Sequence, residues 1–204
     1  KKISQNLSKD TVISKSNFKN NICAVVVARY DSKRLPGKAL LKISGQYLIE
    51  HLFLRLKKSK ILNHILFCTT KKKSDNILVK LAKKHKIKCF RGDENNVLDR
   101  IIKGLTNINS NIIVRITGDD ILIDTDYMNE AINYHLKNNL DYTDHKKLPS
   151  GTETEIFEKK VLEDIYKSGL DLSQTEYLTY YVTNNPSYFR IGSAPVKKKT
   201  SKKN

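Results

Sequence analysis

A continuous β-prone run at residues 22–28, Ile-Cys-Ala-Val-Val-Val-Ala, is the feature that most constrains the fold of this chain. An apolar run without polar alternation is typical of a strand covered on both faces, as in a parallel sheet. Similar runs predict strands at 64–69, 87–90 and 111–116. Helical periodicity follows these four strands in turn, at 47–58, 77–82, 96–108 and 126–137. We expect Ser74 to cap the second helix.

Strands that alternate with helices of this length indicate βαβ units. We therefore predict an α/β fold with three α/β/α layers, Rossmann-like, around a mostly parallel central sheet. Beyond Leu140 the rhythm loosens, with extended segments at 141–143 and 153–157 and helices near 159–168 and 175–183. The domain organisation we expect is a flexible extension at 1–20, one domain at 21–192 and a basic tail at 193–204.

The formal charge of +17 raises the hypothesis of a nucleic-acid-binding module, because lysine and arginine displace counterions from a phosphate backbone. The basic residues are mostly lysines, however, clustered at 57–60, 71–73 and 197–203 without interleaved aromatic side chains. We interpret these clusters as solvated surface. Nucleic-acid binding remains the less favoured alternative.

Cysteine and histidine spacing argues against zinc and against a disulfide framework. The three cysteines, Cys23, Cys68 and Cys89, lie in predicted strands without a CxxC pair, and no HExxH spacing occurs. We expect buried free thiols. The first twenty residues contain no apolar stretch typical of a secretory signal, and no run is long enough to span a bilayer. We therefore expect a cytoplasmic protein without a membrane partner.

Chemistry in such sheets collects at the carboxyl ends of the strands. The loop after the first strand, Ala-Arg-Tyr-Asp-Ser-Lys-Arg-Leu-Pro-Gly-Lys at 28–38, combines Arg29, Arg34 and Lys38 with the hydroxyl of Ser32. Cationic side chains and loop N–H groups together suit phosphate oxygens, so this loop predicts a phosphate site. The alternative is a solvated basic loop.

Two later loops complete the predicted site. After the fourth strand, Asp119 is a candidate ligand for Mg²⁺, which takes one or two carboxylates plus phosphate oxygens. We expect the adjacent Asp120 to point elsewhere, and the alternative is that Asp119 only caps the turn. After the third strand, Arg91, Gly92 and Asp93 are candidates for binding a base or ribose, although a helix cap at Asp93 or Asn95 explains the pattern equally well.

The three loops in this order resemble the cytidylyltransferases that activate sugar acids, the 3-deoxy-manno-octulosonate and acylneuraminate enzymes. The resemblance extends over 21–189 and is strongest to the spore-coat polysaccharide biosynthesis protein F group. It implies the nucleotide-diphospho-sugar transferase fold, CTP and a small sugar or sugar acid as substrates, Mg²⁺ as cofactor and a homodimer. The family's closing Thr-Val-Asp strand and final helix have no counterpart before Asn204, so we expect a domain that lacks its last strand, helix and second metal ligand.

The resemblance also assigns roles to residues. It implies catalytic roles for Arg29, Lys38 and Asp119, with Asp119 as the metal ligand, and a nucleotide site formed by Ala28, Arg29, Ser32, Arg34, Lys38, Arg91, Gly92 and Asp93. For the acceptor it implies Arg115, Glu153 and Glu155, where Glu153 replaces an aspartate of the family and Arg115 has strand bracing as its alternative. Further candidates for the acceptor pocket are Tyr142, His145, Tyr177 and Tyr180, and core packing explains the tyrosines equally well.

Overall fold

A computed structural model describes residues 21–32, 35–145, 148–149, 151–152, 154–169 and 176–196. The nine strands of the described residues are β1 (Ile22–Val27), β2 (Lys42–Ile43), β3 (Gln46–Tyr47), β4 (His64–Thr70), β5 (Lys88–Gly92), β6 (Ile112–Thr117), β7 (Tyr142–Asp144), β8 (Glu155–Glu158) and β9 (Ile191–Ser193). The six α-helices are α1 (Leu48–Leu56), α2 (Asn76–Lys84), α3 (Val97–Gly104), α4 (Thr125–Lys137), α5 (Lys159–Lys167) and α6 (Glu176–Thr183). Short 3₁₀ helices occupy Lys38–Leu40 and Lys73–Asp75.

The central sheet has the strand order β5-β4-β1-β6-β8-β7-β9. Strands β5, β4, β1 and β6 are parallel neighbours, β8 runs antiparallel to both β6 and β7, and β9 is parallel to β7. The sheet is therefore mostly parallel, as predicted. The carboxyl ends of β1, β4, β5 and β6 lie at one edge, which is where the predicted loops emerge.

Both faces of the sheet are covered, which explains the uninterrupted apolar run of β1. Ala24 and Val26 belong to the core cluster under α1, α2 and α4, whereas Cys23, Val25 and Val27 belong to the cluster under α3, α5 and α6. The predicted three layers are thus confirmed. Because successive strand residues point to opposite faces, a strand between two helical layers needs apolar residues at every position.

One local expectation is corrected. Ser74 does not cap α2, because it lies within the 3₁₀ helix Lys73–Asp75 and the residue directly before α2 is Asp75. Strand β9 was not predicted, since its Ile-Gly-Ser sequence is too short to give a pattern. Near the predicted domain end at 192, Ala194 is buried and its N–H donates to the Asp144 carbonyl at 2.8 Å.

The cysteines are free thiols, as expected, with Cys23 and Cys68 buried and Cys89 partly buried. Burial raises the pKa of the Cys23 thiol to about 12, which keeps it protonated and unreactive. No helix in the described part of the chain is long and apolar enough to cross a membrane.

Candidate active site

The loop after β1 turns sharply at Gly37 and thereby positions Lys38. Gly37 has a φ of 70°, a backbone conformation that glycine adopts without strain, and its N–H donates to the Tyr30 carbonyl at 2.7 Å. A Cβ atom at Gly37 would lie 3.2 Å from the Tyr30 ring. The turn therefore depends on glycine, and Lys38 follows as the first residue of a 3₁₀ helix.

The loop after β6 packs directly against the loop after β1. The Gly118 N–H donates to the Val27 carbonyl at 2.9 Å, and a Cβ atom at Gly118 would lie only 2.5 Å from Cβ of Ala28. The two loops also meet through their side chains. Nζ of Lys38, in the loop after β1, forms an ion pair with Oδ2 of Asp119, in the loop after β6. The structure thus brings together two of the three residues predicted to be catalytic.

Asp119 and Asp120 point in different directions, as expected. Oδ2 of Asp120 accepts hydrogen bonds from the N–H and the hydroxyl of Thr117, at 3.2 and 2.6 Å. The side chain that caps this turn is therefore Asp120, and not Asp119. About a third of the Asp119 side chain and a quarter of the Lys38 side chain are exposed, so both can contact a ligand.

Asp75 is a buried carboxylate that the sequence interpretation missed. It accepts hydrogen bonds from the N–H of Tyr30 at 2.7 Å, from the N–H of Thr70 at 2.9 Å, and from the hydroxyls of Thr69 and Thr70. Burial alone would raise its pKa, but these hydrogen bonds outweigh burial and lower it. Asp75 therefore joins the β1 loop to the end of β4, and no local pattern separates it from a helix cap.

Four charged side chains form a network beside this junction. Nζ of Lys72 lies 3.1 Å from Asp31 and 2.6 Å from Glu94, and Arg29 donates to the Glu94 carbonyl at 3.0 Å. Hydrogen bonds from Lys72 to Glu94 and Asp31 raise the pKa of the Lys72 ammonium. Lys72 is exposed, as expected for the clustered lysines, and it also pairs with two carboxylates. No local feature of the lysine run at 71–73 indicates this pairing.

The remaining predicted residues of the first loop are less informative. Ala28 contacts the site through the close approach to Gly118, and the N–H of Ser32 donates to the Tyr30 carbonyl at 2.8 Å. Arg34 lies outside the described residues.

The Arg91 side chain supports the neighbouring loop. Its guanidinium donates to the Thr70 carbonyl and to Oδ1 of Asn76, both at 2.8 Å, and to the Lys72 carbonyl at 2.6 Å. Arg91 therefore fixes the loop that carries Lys72. Nucleotide binding by Arg91 stays a prediction, but this set of hydrogen bonds gives it a positioning role that the sequence did not suggest.

The loop after β5 is tightly packed. A Cβ atom at Gly92 would lie 2.9 Å from the Phe90 ring and 3.0 Å from Arg100, so glycine is required by the close approach. Asp93 accepts from the N–H groups of Asn95 and Asn96, both at 2.8 Å. The cap of α3 is Asn96, which corrects the expectation of a cap at Asp93 or Asn95.

A cavity of about 560 Å³ opens between the loops after β4 and β5. Its lining includes Lys72, Arg91, Gly92, Asp93 and Glu94. The predicted nucleotide residues of the third loop therefore face a space large enough for part of a nucleotide.

A second cavity, of about 380 Å³, lies at the carboxyl end of β6. Its lining includes Thr117 and Asp120, which precede and follow Gly118 and Asp119 in the sequence. The predicted acceptor residues that line it are Arg115, Tyr142, His145, Glu155 and Tyr180. Glu153 and the side chain of Tyr177 lie outside the described residues.

Arg115 and Glu155 lie directly opposite each other in the β6–β8 pairing and form an ion pair. Glu155 also accepts from the hydroxyls of Tyr142, at 3.2 Å, and Thr179. The ion pair of Arg115 links strands β6 and β8, which supports strand bracing as the alternative to acceptor binding. The Arg115 side chain also lines the cavity.

Comparison with known proteins identifies the family. Residues 23–203 match the family model described as cytidylyltransferase. The chain belongs to the cytidylyltransferase family. It is 31% identical over 177 residues to the spore coat polysaccharide biosynthesis protein SpsF of Bacillus subtilis, covering 84% of this chain and 74% of that protein. It is 39% identical over 170 residues to an uncharacterized protein of Methanocaldococcus jannaschii, covering 83% of this chain and 70% of that protein.

Solved cytidylyltransferases share the fold. A cytidylyltransferase from Leptospira borgpetersenii superposes with a TM-score of 0.81 at 28% identity, covering 90% of this chain and 79% of the other. A CMP:2-keto-3-deoxy-manno-octonic acid synthetase complexed with CTP superposes with a TM-score of 0.66 at 16% identity, covering 87% of this chain and 91% of the other, which shows a common fold. The predicted nucleotidyltransferase fold is confirmed.

The carboxylates of this cytidylyltransferase suit a Mg²⁺ ion only together with a phosphate ligand. No group of three or more histidine, cysteine, aspartate or glutamate side chains able to hold a metal occurs among the described residues. Asp119 supplies one accessible carboxylate, and Mg²⁺ commonly takes one or two carboxylates and completes its shell with phosphate oxygens and water. The donor set therefore fits a metal that arrives with a triphosphate.

Proposed function

We propose that this cytidylyltransferase transfers CMP from CTP to a hydroxyl group of a small sugar or sugar acid and releases pyrophosphate, in the biosynthesis of a surface polysaccharide or glycan. The observation that carries the proposal is the ion pair between Lys38 and Asp119. It joins a cation and a carboxylate from two loops, at the edge of the sheet where ligands of such folds bind.

The reaction forms one bond and breaks one bond at the α-phosphorus of CTP. The acceptor oxygen attacks this phosphorus, the bond from the α-phosphorus to the bridging oxygen breaks, and its electron pair leaves with pyrophosphate. The hydroxyl proton is lost to water. Because little covalent chemistry is asked of the protein in such transfers, catalysis consists mainly of positioning and of charge stabilisation.

The side chains of the first loop supply most of that stabilisation. Lys38 is released from Asp119 when the triphosphate binds, and its ammonium then balances charge on the leaving phosphates. Arg29 is held over the site by the Glu94 carbonyl and is partly exposed, so it can reach a phosphate oxygen. When bound, Mg²⁺ would be held by Asp119 and would supply further positive charge at the phosphates.

The two cavities give the substrates separate places. The cavity beside Arg91, Gly92 and Asp93 suits part of the nucleotide, and the cavity lined by Arg115 and Glu155 suits the acceptor. The Lys38–Asp119 pair joins the loops after β1 and β6, and the loop after β6 also carries Asp120, which lines the second cavity. This position supports the proposal that the pair contacts the phosphates of CTP.

The test combines CTP calorimetry with CTP-dependent pyrophosphate release, measured with Mg²⁺ and a panel of sugars and sugar acids. We expect Lys38→Ala to weaken CTP binding and to slow release by at least about tenfold, as loss of a charge-assisted contact predicts. Lys80→Ala, on the exposed face of α2, is the matched control and should leave both unchanged.

Two outcomes contradict the proposal. Failure to bind CTP would refute the assignment of the first loop. Binding of CTP without release for any acceptor would make the chain a nucleotide-binding relative that is not a catalyst.

A further inference from the structure

The acceptor cavity carries an unusual balance of charge for a site that would take a sugar acid. Among the described residues that line it, three are carboxylates, namely Asp120, Asp144 and Glu155, and one is a permanent cation, Arg115. A ligand carboxylate placed there needs a cation that can turn towards it. The disposition of Arg115 therefore decides which acceptors fit.

The positive charge of Arg115 is already neutralised within the protein. Its guanidinium forms the ion pair with Glu155 across the β6–β8 register, and only 8% of its side chain is exposed. Glu155 is fixed in turn by the hydroxyls of Tyr142 and Thr179. Turning Arg115 towards a ligand would leave Glu155, itself four-fifths buried, without its cation, and breaking such a pair is strongly unfavourable.

His145, the other basic side chain among the described residues that line the cavity, does not supply a cation either. It is 1% exposed, and neither ring nitrogen has a hydrogen-bond partner in the described part of the chain. Burial lowers the pKa of its imidazole from the ordinary value, so the ring is neutral at pH 7. A neutral imidazole has one N–H donor and one nitrogen acceptor, which match a hydroxyl group better than a carboxylate.

We propose that the acceptor of this enzyme is an uncharged, hydroxyl-rich sugar and that acceptors bearing a carboxylate are discriminated against. The inference rests on the proposed function, since it concerns the second substrate of the same reaction. Hydroxyl groups can donate to Asp144 and Glu155 and can both donate to and accept from His145 and Thr154. Among the described lining residues, an acceptor carboxylate would instead meet like charges, and the one permanent cation there is already paired with Glu155, which lowers affinity for the acid.

The first test compares acceptors that differ only in the carboxylate. Binding of an uncharged ketose and of the 2-keto acid with the same skeleton is measured by calorimetry, with the enzyme saturated by a CTP analogue whose α–β bridge cannot be cleaved. We expect the uncharged sugar to bind at least tenfold more tightly. Equal or tighter binding of the acid, or binding of neither compound, would overturn the proposal.

This design separates the proposal from the function on which it rests. Preferential binding of the uncharged sugar supports the acceptor class even when pyrophosphate release from CTP fails, whereas that failure counts against the transfer reaction. Failure of the CTP analogue to bind counts against the nucleotide site, and the acceptor comparison is then made without it.

The second test releases the charge of Arg115. Glu155→Gln keeps the size of the side chain and an oxygen that can accept the hydrogen bonds from Tyr142 and Thr179. It removes the negative charge that pairs with the Arg115 guanidinium. We expect the preference to shift towards the acid by at least tenfold. Glu163→Gln, which removes an exposed carboxylate on α5, is the control and should not shift it. An unchanged preference in folded Glu155→Gln would show that Arg115 does not set the selectivity.

Discussion

Replacing Gly118 by alanine would insert a methyl group at the contact between the loops after β1 and β6. The new Cβ atom would lie 2.5 Å from Cβ of Ala28, 3.3 Å from the Ile49 side chain and 3.4 Å from the Val27 carbonyl. Carbon atoms in ordinary contact are about 3.5–4.0 Å apart. The two loops must therefore separate by about 1 Å.

This displacement has two measurable consequences. Overpacking of this kind costs about 1–3 kcal/mol of the free energy of unfolding, which for a domain of this size lowers Tm by roughly 2–12 °C. Lys38 and Asp119 lie in these two loops. A shift of about 1 Å therefore also displaces the two side chains from each other and should slow pyrophosphate release by about 10²-fold. Calorimetric unfolding and the release assay measure the two effects.

A compensating substitution isolates the steric cause. Ala28→Gly removes the methyl group that the new Cβ atom would meet, so the double variant Ala28→Gly, Gly118→Ala restores the space. We expect the double variant to be at least about 1 kcal/mol more stable than the sum of the two single effects predicts. Additive losses of stability would refute the argument that the two loops are in direct contact.

Two further predictions concern buried carboxylates. Asp75→Asn should lower the free energy of unfolding, measured with denaturant, by about 2–3 kcal/mol, because an amide cannot accept all four hydrogen bonds. The exposed control Asp126→Asn should lower it by less than about 0.5 kcal/mol. Equal losses of stability in the two variants would contradict this prediction. Burial opposes ionisation of Glu50, but hydrogen bonds from Lys84 and His85 outweigh burial and lower the pKa of Glu50 to about 2. The ionised carboxylate therefore adds to the free energy of unfolding above its ordinary pKa near 4.5, and this stabilisation is lost as the pH falls to 2. The stability difference between wild type and Glu50→Gln should therefore shrink between pH 4.5 and pH 2, and a constant difference would contradict it.

The sheet could be predicted because its pattern is local. The run of β1 is apolar at each position since Cys23, Val25 and Val27 face one helical layer, and Ala24 and Val26 face the other. The meeting of Lys38 and Asp119, 81 residues apart, followed from placing both at carboxyl ends of parallel strands.

The contacts that hold the loops of the site in place could not be predicted in the same way. Asp75 and Lys72 act through contacts with the β1 loop and with Glu94, and these contacts exist only after the strands have paired. A single lysine in the Lys71 to Lys73 run has no local feature that separates it from its solvated neighbours. Arg91 illustrates the same limit, because its three hydrogen bonds go to a loop contributed by another strand.

Pyrophosphate release from CTP by Asp119→Ala is the measurement that tests the central claim most directly. It is made with Mg²⁺ and a productive acceptor, beside the exposed control Asp164→Ala on α5. Removing the only carboxylate assigned to the metal and to Lys38 should reduce release by at least about 10²-fold, the scale of losing one electrostatic contact at a reacting centre. The control should keep the wild-type rate. Release by Asp119→Ala within a few-fold of wild type would contradict the account.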